Sequence, residues 1–435
     1  MTTFSARVTI GGAGRAAEAP LACTVSWDTE RLSVVPASGP PITFDLGDID
    51  ALSGENLELA LQVWGGGQVR IDRLGKVHDR VVCELGDAWR DRLVRCLVLR
   101  DLHEIDRFPG HVRVDGPAPI AERLAELRLF ESNLVVLPTG AAAFHWRLAD
   151  LDRVEFDDQQ YGWALASGDA RLIVSRLAKR TTEFGEKLRE ATANVSRRAS
   201  QCLARLFPFL GIDRLERLSA TWREGSVVPI ATLEGIDGRL VSALMTGAVG
   251  PRLRPYVDDL ASRSGVAGAH VGFVLRHPDE IDEDATEEVT GESGTDESPI
   301  PSDPTFSVAA AADGGADQLV PLFYFLFELP PSAGRQTGLV AWETTSAAGR
   351  ATYLFEPPDG VTVLNRALLA LNFRREPIYL PDDRLAGDPR FARHAIAVRR
   401  LPALTALRSA FAGRAIHTSV DRWRRQFSAL IDAPR

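Results

Sequence analysis

An internal repeat constrains the fold of this chain more than any other feature of its sequence. Residues 32–52 (LSVVPASGPPITFDLGDIDAL) align without a gap over residues 134–154 (LVVLPTGAAAFHWRLADLDRV), at a constant offset of 102. The matches include apolar positions and also the Asp-x-Asp at residues 48–50 and 150–152. Chance similarity between two apolar strands would not reproduce such polar matches, and similarity at a fixed period is typical of repeated structural units. The sequence therefore predicts a duplicated module of about 100 residues.

The similarity resumes after one inserted residue, where residues 73–76 (RLGK) align with residues 176–179 (RLAK). Two of the chain's three lysines, Lys76 and Lys179, therefore occupy equivalent positions. Each copy begins with runs of strand length and ends with apolar residues at helical spacing. The expected strands are 21–27, 32–36, 42–46, 57–63, 69–73 and 80–83 in the first copy, and 126–130, 134–138, 144–148, 162–166 and 170–175 in the second. The expected helices are 88–97 and 184–206.

A string of strands closed by one helix within about 100 residues resembles the pleckstrin-homology-like superfamily. The resemblance covers roughly residues 5–206 and lies in three segments: ERLSVVP…PITFDLGDID, the glycine hairpin before QVRIDR, and the helix GDAWRDRLVRCL with Trp89. The terminal helix of that family commonly carries a tryptophan packed into the barrel, and the second copy has none at the matching position. The resemblance implies tandem modules at 1–106 and 115–208. Each would be a β-barrel or bent sheet closed by a C-terminal helix, whose apolar face plugs the open end.

The resemblance does not imply that this chain binds lipid. Phosphoinositide-binding members of the family cluster Lys and Arg in the loop between the first two strands. Here that loop supplies only Arg15, which Glu18 offsets.

Beyond residue 210 the pattern changes, and we expect a mixed α+β domain at 211–435, so that the whole chain is of the α+β class. Trp423, Phe427 and Ile431 repeat the spacing of Trp89, Leu93 and Leu97, which leaves a diverged third copy open beside an unrelated domain. The expected strands are 270–278, 319–329, 338–345 and 350–356. The expected helices are 239–246, 253–262, 361–373, 391–411 and 420–431.

Acidic residues are concentrated in one segment. Between His277 and Gly334 there are fourteen Asp or Glu and no Lys or Arg, and without these acids the net charge of −9 becomes +5. Such a composition cannot bury enough apolar surface to fold. Residues 278–304 are therefore predicted to be a disordered insert.

The sequence favours a cytoplasmic protein of bacterial type. No stretch reaches the eighteen or so apolar residues of a membrane span, and the N-terminus MTTFSARVTI lacks the design of a secretory signal. The four cysteines lie far apart without a CxxC spacing, as free thiols in a reducing compartment would.

The segment VTIGGAGRAA superficially matches a dinucleotide-binding turn through Gly12, Gly14 and Ala17. That chemistry needs a helix directly afterwards, with its N-terminus facing the pyrophosphate. Pro20 and a further strand follow instead, so we interpret the segment as a glycine-rich hairpin. No cofactor is predicted.

No catalytic or metal site is predicted either. The eight histidines are scattered and none lies in a GxSxG, HExxH or HxH context. His277, beside Asp279 and Glu280, is interpreted as the edge of a solvated acidic run. The repeated Asp-x-Asp pairs follow strands in both copies, where Asp typically shapes a turn through its own backbone.

Arginines near the C-terminus form the one candidate binding surface. Residues 384–435 hold eleven Arg against Asp388, Asp421 and Asp432. Such clusters can attract phosphate or acidic partners, but a solvated face or pairing with the acidic segment is the favoured interpretation. The candidate residues are Arg399, Arg400, Arg422, Arg424 and Arg425.

Duplicated β modules without catalytic residues suggest a non-catalytic interaction or scaffold protein. Its exposed strand edges and inter-module grooves would bind peptide segments of protein partners whose identity the sequence does not give. The first alternative is a peripheral binder of nucleic acid or lipid through the C-terminal arginines. The second is an enzyme with its site in 211–435, which the absence of a catalytic motif disfavours.

Overall fold

A computed structural model describes the chain in two compact units of mixed α+β structure. The described residues are 2–12, 19–100, 102–277, 319–332, 337–345, 351–357 and 359–433. The first unit comprises Met1–Arg147, Leu151–Glu186 and Pro381–Pro402, and the second comprises Leu148–Asp150, Lys187–Leu380 and Ala403–Arg435. The acidic insert predicted at 278–304 lies outside the described residues.

The first unit opens with a seven-stranded antiparallel sheet of order β4-β3-β2-β1-β7-β6-β5, followed by helix α1 (His78–Val98). Val81 and Leu85 of α1 are buried in the core of this sheet, and Trp89 donates its indole N–H to the Ile49 carbonyl at 2.9 Å. We call this sheet and helix module 1. Its strands are β1 (Thr2–Gly11), β2 (Leu21–Trp27), β3 (Arg31–Pro36), β4 (Ile42–Asp45), β5 (Ile49–Glu55), β6 (Glu58–Val63) and β7 (Gly67–Asp72).

A second seven-stranded antiparallel sheet follows, which we call module 2. Helix α2 (Thr181–Leu206) comes after its last strand, and the residues of α2 from Lys187 onward are assigned to the second unit. Its order, β11-β10-β9-β8-β14-β13-β12, is the order of module 1 shifted by seven strands. The strands are β8 (Glu104–Asp115), β9 (Ile120–Phe130), β10 (Asn133–Pro138), β11 (Phe144–Arg147), β12 (Arg153–Asp157), β13 (Gly162–Ser167) and β14 (Ala170–Ser175).

The two modules also agree in backbone detail. Lys76 and Lys179 each lie in a one-turn 3-10 helix between the last strand and the long helix. Arg73 and Arg176, which the internal alignment matches, both adopt left-handed backbone angles, with φ of 65° and 55°. The same unfavourable conformation at equivalent positions agrees with the repeat in the sequence.

Several local predictions were wrong or incomplete in these modules, and strand β8 (Glu104–Asp115) was not predicted. Residues 80–83, expected as a strand, lie in the first turns of helix α1, because Val81 and Leu85 are spaced by four and bury one helical face. The edge strands β5 and β12 were not predicted, since their side chains are largely exposed and give little apolar pattern. Neither sheet is closed into a barrel in the described residues: β4 and β5, and likewise β11 and β12, remain unjoined edges.

Helix α1 also packs against module 2 within the first unit. Its second apolar face, with Leu93 and Leu97, joins a cluster with Phe130 and Val135 of module 2. The helix is therefore covered on two sides, and this helix-mediated contact joins the modules.

The second unit is built on a six-stranded antiparallel sheet whose strands follow chain order, β15 to β20. This meander differs from the strand order of the modules. The strands are β15 (Val227–Pro229), β16 (Ala269–Arg276), β17 (Val320–Leu329), β18 (Leu339–Thr344), β19 (Ala351–Phe355) and β20 (Phe411–Ile416).

The remaining helices are α3 (Ile212–Thr221), α4 (Ile230–Ile236), α5 (Arg239–Leu244), α6 (Gly250–Gly268), α7 (Val361–Ala370), α8 (Glu376–Tyr379), α9 (Asp382–Gly387), α10 (Ala392–Arg400), α11 (Pro402–Ala410) and α12 (Val420–Asp432). Of these, α9 and α10 belong to the first unit. None of the helices in the described part of the chain combines the length and apolar composition needed to cross a lipid bilayer.

The single helix expected at 391–411 is interrupted. Leu401, between α10 and α11, is extended (φ −103°, ψ 107°), because the ring of Pro402 disfavours helical angles in the preceding residue. Phe411 then begins strand β20 rather than ending a helix.

Candidate functional site

The five candidate arginines belong to two different units. Arg399 and Arg400 end helix α10 in the first unit, whereas Arg422, Arg424 and Arg425 lie on α12 in the second. The sequence gives no sign of this division, because all five lie within one C-terminal stretch.

Arg400 caps the edge of module 1. Its Nε donates to the Gly47 carbonyl at 2.8 Å and its Nη2 to the Ile49 carbonyl at 2.8 Å. The same Nη2 lies 3.1 Å from an Asp50 carboxylate oxygen, and only 14% of the Arg400 side chain is exposed. Arg400 is therefore engaged with backbone and carboxylate groups of its own chain.

Arg399 pairs with the other carboxylate of the repeated motif, Asp48. Burial raises the pKa of Asp48, while the positive charges of Arg399 and Arg400 act in the opposite direction. The turn-shaping role expected for the motif falls instead to Asp45, which accepts the Gly47 N–H at 2.8 Å. Both carboxylates of the first Asp-x-Asp thus bind arginines at the end of helix α10.

A buried arginine that the sequence did not single out lies beside this contact. Arg92, on α1, is 2% exposed and donates to Asp45 at 2.7 and 3.0 Å and to Glu30 at 2.9 Å. Burial raises the pKa of the neighbouring Cys96 thiol to about 12. Cys96 is therefore an inert core thiol, and Arg92 serves the fold.

On α12, Arg424 donates to Asp259 of α6 at 2.7 Å, and Arg263 pairs with the same carboxylate at 2.5 Å. Burial by itself would raise the pKa of Asp259, but the bonds from Arg263 and Arg424 lower it. Arg422 and Arg425 are exposed and pair with none of the described residues.

An open groove of about 690 Å³ borders Arg424. Arginines and aspartates contribute equally to its lining, so the groove offers no excess positive charge to an anion. The lining residues are Pro251, Arg254, Pro255, Asp258, Asp259, Ser262 and Arg424.

A polar network in the second unit brings together a hydroxyl, an imidazole and a carboxylate. Thr352 Oγ1 lies 2.8 Å from Glu343 Oε2 and 3.0 Å from His417 Nε2, and accepts the Trp423 indole N–H at 2.9 Å. Tyr256 stacks on the His417 ring with 3.9 Å between ring centroids. Burial raises the pKa of Tyr256, and the nearby charge of Glu343 adds to the effect.

This network lacks the geometry of nucleophilic catalysis. A catalytic triad places the acid on one imidazole nitrogen and the nucleophile on the other. Here Glu343 Oε2 lies 3.2 Å from His417 Nε2, the nitrogen that also faces Thr352. Glu343 and Thr352 are 0% exposed. The network holds strands β18 and β19 to the β20–α12 region.

The other two sequence candidates, the glycine-rich segment and His277 with its acidic neighbours, lie partly outside the described residues. Among the described residues, no group of three or more His, Cys, Asp or Glu side chains could hold a metal ion. Gly14 and Ala17 of the glycine-rich segment lie outside the described residues, as do Asp279 and Glu280 beside His277.

A surface feature shared by both modules lies at one hairpin corner. Leu57 directly precedes β6 and Tyr161 directly precedes β13, so the two residues occupy equivalent positions. Leu57 is 61% exposed and Tyr161 is 64% exposed. Both have positive φ, 59° and 45°, a region that favours Gly or Asn.

Tyr161 is part of an exposed aromatic group. Its ring packs edge-on against Phe156 at 5.7 Å between centroids, and Phe156 in turn contacts the buried Trp163 at 5.3 Å. Sequence reasoning missed both corners, because backbone angles are not visible in a residue type.

No family model matches the chain, and a search of curated proteins finds no significant match.

Proposed function

We propose that the protein is a non-catalytic protein-interaction scaffold whose binding surface includes the hairpin corners at Leu57 and Tyr161. The observation that carries the proposal is the shared corner: a large exposed apolar residue in a left-handed conformation at the same position of both modules.

These corners are unfavourable for the isolated fold. A left-handed conformation costs a non-glycine residue about 1 kcal/mol, and an exposed leucine forgoes roughly 2 kcal/mol of burial free energy. The copies carry different residues there, Leu57 and Tyr161, and share only the apolar character and the strain. A partner protein that buries these side chains would offset both costs.

The same proposal places both modules in the pleckstrin-homology-like superfamily. The seven strands followed by one helix support this, together with the Trp89 indole bonded to the Ile49 carbonyl. We further propose a cytoplasmic location. The supporting observation is that all four cysteines are unpaired: Cys23, Cys83, Cys96 and Cys202.

A second candidate function, binding to an anionic surface, is supported by the exposed Arg422 and Arg425 alone. Because Arg399, Arg400 and Arg424 are engaged within their own units, the available positive charge is small. Replacing Arg422 and Arg425 by Ala should then abolish salt-sensitive binding to anionic vesicles or nucleic acid. If this variant binds as well as the wild type, binding to an anionic surface through Arg422 and Arg425 is excluded.

The scaffold function is tested by affinity capture from the native host with the full chain. The test variant carries Leu57→Asn and Tyr161→Asn, and the control carries Ile212→Asn, a residue that is 77% exposed but lies in a helix. The wild type and the control should retain the same partner protein, and the corner variant should lose it. No specific capture by the wild type, or equal capture by the corner variant, would contradict the proposal.

A further inference from the structure

The edge strands of the two modules differ in how the chain itself covers them. In module 1, the Ile49 carbonyl of β5 accepts bonds from Trp89 and Arg400, and Val82 of α1 packs so closely over Gly54 that a Cβ there would lie 2.5 Å away. In module 2, β12 pairs with β13 along one side only. No described residue bonds to its other backbone edge.

The side chains of β12 form a pattern that is complementary to itself. Arg153 and Glu155, 69% and 58% exposed, flank Val154 with opposite charges. An inverted copy of the strand, centred on Val154, would set Arg153 of each copy opposite Glu155 of the other. Cross-strand pairs of opposite charge stabilise antiparallel pairing, whereas like charges oppose it.

We propose that β12 is a self-association edge, through which two copies of the chain pair antiparallel about Val154. Neighbouring registers are disfavoured by charge. Centring on Glu155 would set two glutamates face to face, and centring on Phe156 would set Glu155 opposite Asp157. Only the Val154 centre avoids like-charge pairs, and it gives the twofold symmetry typical of homodimers.

Two further observations favour a second copy on this edge. Phe156 is 39% exposed on β12, so a paired strand would cover part of its ring. The Arg153–Glu155 pair within one strand spans 3.5 Å at the surface, and such exposed pairs contribute little. Replacing the Arg153–Glu155 pair within each strand by two such pairs between the copies therefore costs little free energy.

The contact would be weak. A strand of five residues buries far less than the roughly 1,600 Å² of a standard interface, so we expect a dissociation constant on the order of 10–100 µM. The inference goes beyond the scaffold function, since a dimer would present the corner surfaces twice and bind a multivalent partner more tightly.

A charge-swap experiment on the full chain tests the proposal by sedimentation equilibrium up to about 500 µM, several times the expected dissociation constant. Glu155→Arg and Arg153→Glu each create like charges across the twofold axis, so each variant alone should be monomeric. Mixed in equal amounts, the two variants should associate at least as well as the wild type. Both positions are exposed, and circular dichroism of each variant checks that it folds.

A monomeric wild type over this range, or a mixture that stays monomeric, would overturn the proposal. Self-association that survives both single substitutions would also overturn it, because the contact would then lie elsewhere. A chain that does not dimerise still carries the corners at Leu57 and Tyr161 and still captures a partner, only more weakly where that partner is multivalent. Failure of this proposal and failure of the scaffold function are therefore distinguishable.

Discussion

Modules 1 and 2 share one topology but differ at the edges that end their sheets. In module 1 the edge strand β5 accepts bonds from Arg400 and Trp89, and the module also contains the buried ion pair of Arg92 with Asp45. At the positions equivalent to Arg92 and Asp45, module 2 has Val195 and Arg147, so that pair is not repeated. The shared features therefore describe what the fold needs, and the differences show how each copy has been adapted.

The cores of the two modules differ in side-chain size at one strand position and one helix position. Module 2 has Trp163 on β13 facing Gly185 of α2, where an added Cβ would lie 1.8 Å from the Trp163 ring. The equivalent positions of module 1 hold Leu59 and Val82. Module 2 thus has a large strand residue and a glycine where module 1 has two residues of medium size, and the summed side-chain volume is roughly equal.

The largest expected effect comes from adding volume at Gly185, where the Trp163 ring leaves no space. Gly185→Ala should lower the free energy of unfolding by about 3 kcal/mol, because the methyl group and the indole cannot occupy the same space. Urea denaturation followed by circular dichroism measures the change. Adding Trp163→Leu to Gly185→Val, which installs the pair of module 1, should recover most of the loss. If the double variant is less stable than Gly185→Ala, the two positions are not equivalent.

The repeat, its helices and the α+β class were predictable from the sequence, because apolar spacing and the Asp-x-Asp match are local signals. Pairings between distant residues were not. Asp45 and Arg92 are 47 positions apart, and Asp48 and Arg399 are 351 apart. The corners were missed for another reason: nothing in the identity of Leu57 shows that its φ is positive. Exposure and backbone strain become visible only in three dimensions.

The next largest effect is expected for Arg400, which bonds to the edge of module 1. Arg400→Ala removes two charge-assisted hydrogen bonds to buried carbonyl groups and should cost about 2 kcal/mol of unfolding free energy. The matched control, Arg425→Ala, removes an exposed guanidinium and should stay within about 0.5 kcal/mol of the wild type. Equal effects of the two substitutions would show that the Arg400 contact contributes no special stability.

The free energy of unfolding at acid pH should depend on His145 of module 2. The equivalent position of module 1 holds Thr43, which does not titrate. Burial lowers the pKa of His145 to about 4, and the charge of Arg147 adds to the shift. Since the unfolded histidine has a pKa near 6.5, its contribution to stability is full above pH 6.5 and is lost as the pH falls towards about 4.

In that window the wild type should lose about 1–2 kcal/mol more stability than a His145→Thr variant, which copies module 1. Unfolding free energies measured at several pH values between 7 and 4 check this. Parallel pH profiles for the two proteins would show that His145 titrates normally.

The central claim, that the corners serve binding and not folding, is tested most directly by the stability of Leu57→Asn. Asparagine tolerates the left-handed backbone, and Leu57 contributes little buried surface. The account predicts that the variant unfolds with a free energy higher than the wild type by about 0.5–1 kcal/mol. A variant that is less stable than the wild type would show that Leu57 supports the fold, and would contradict the account.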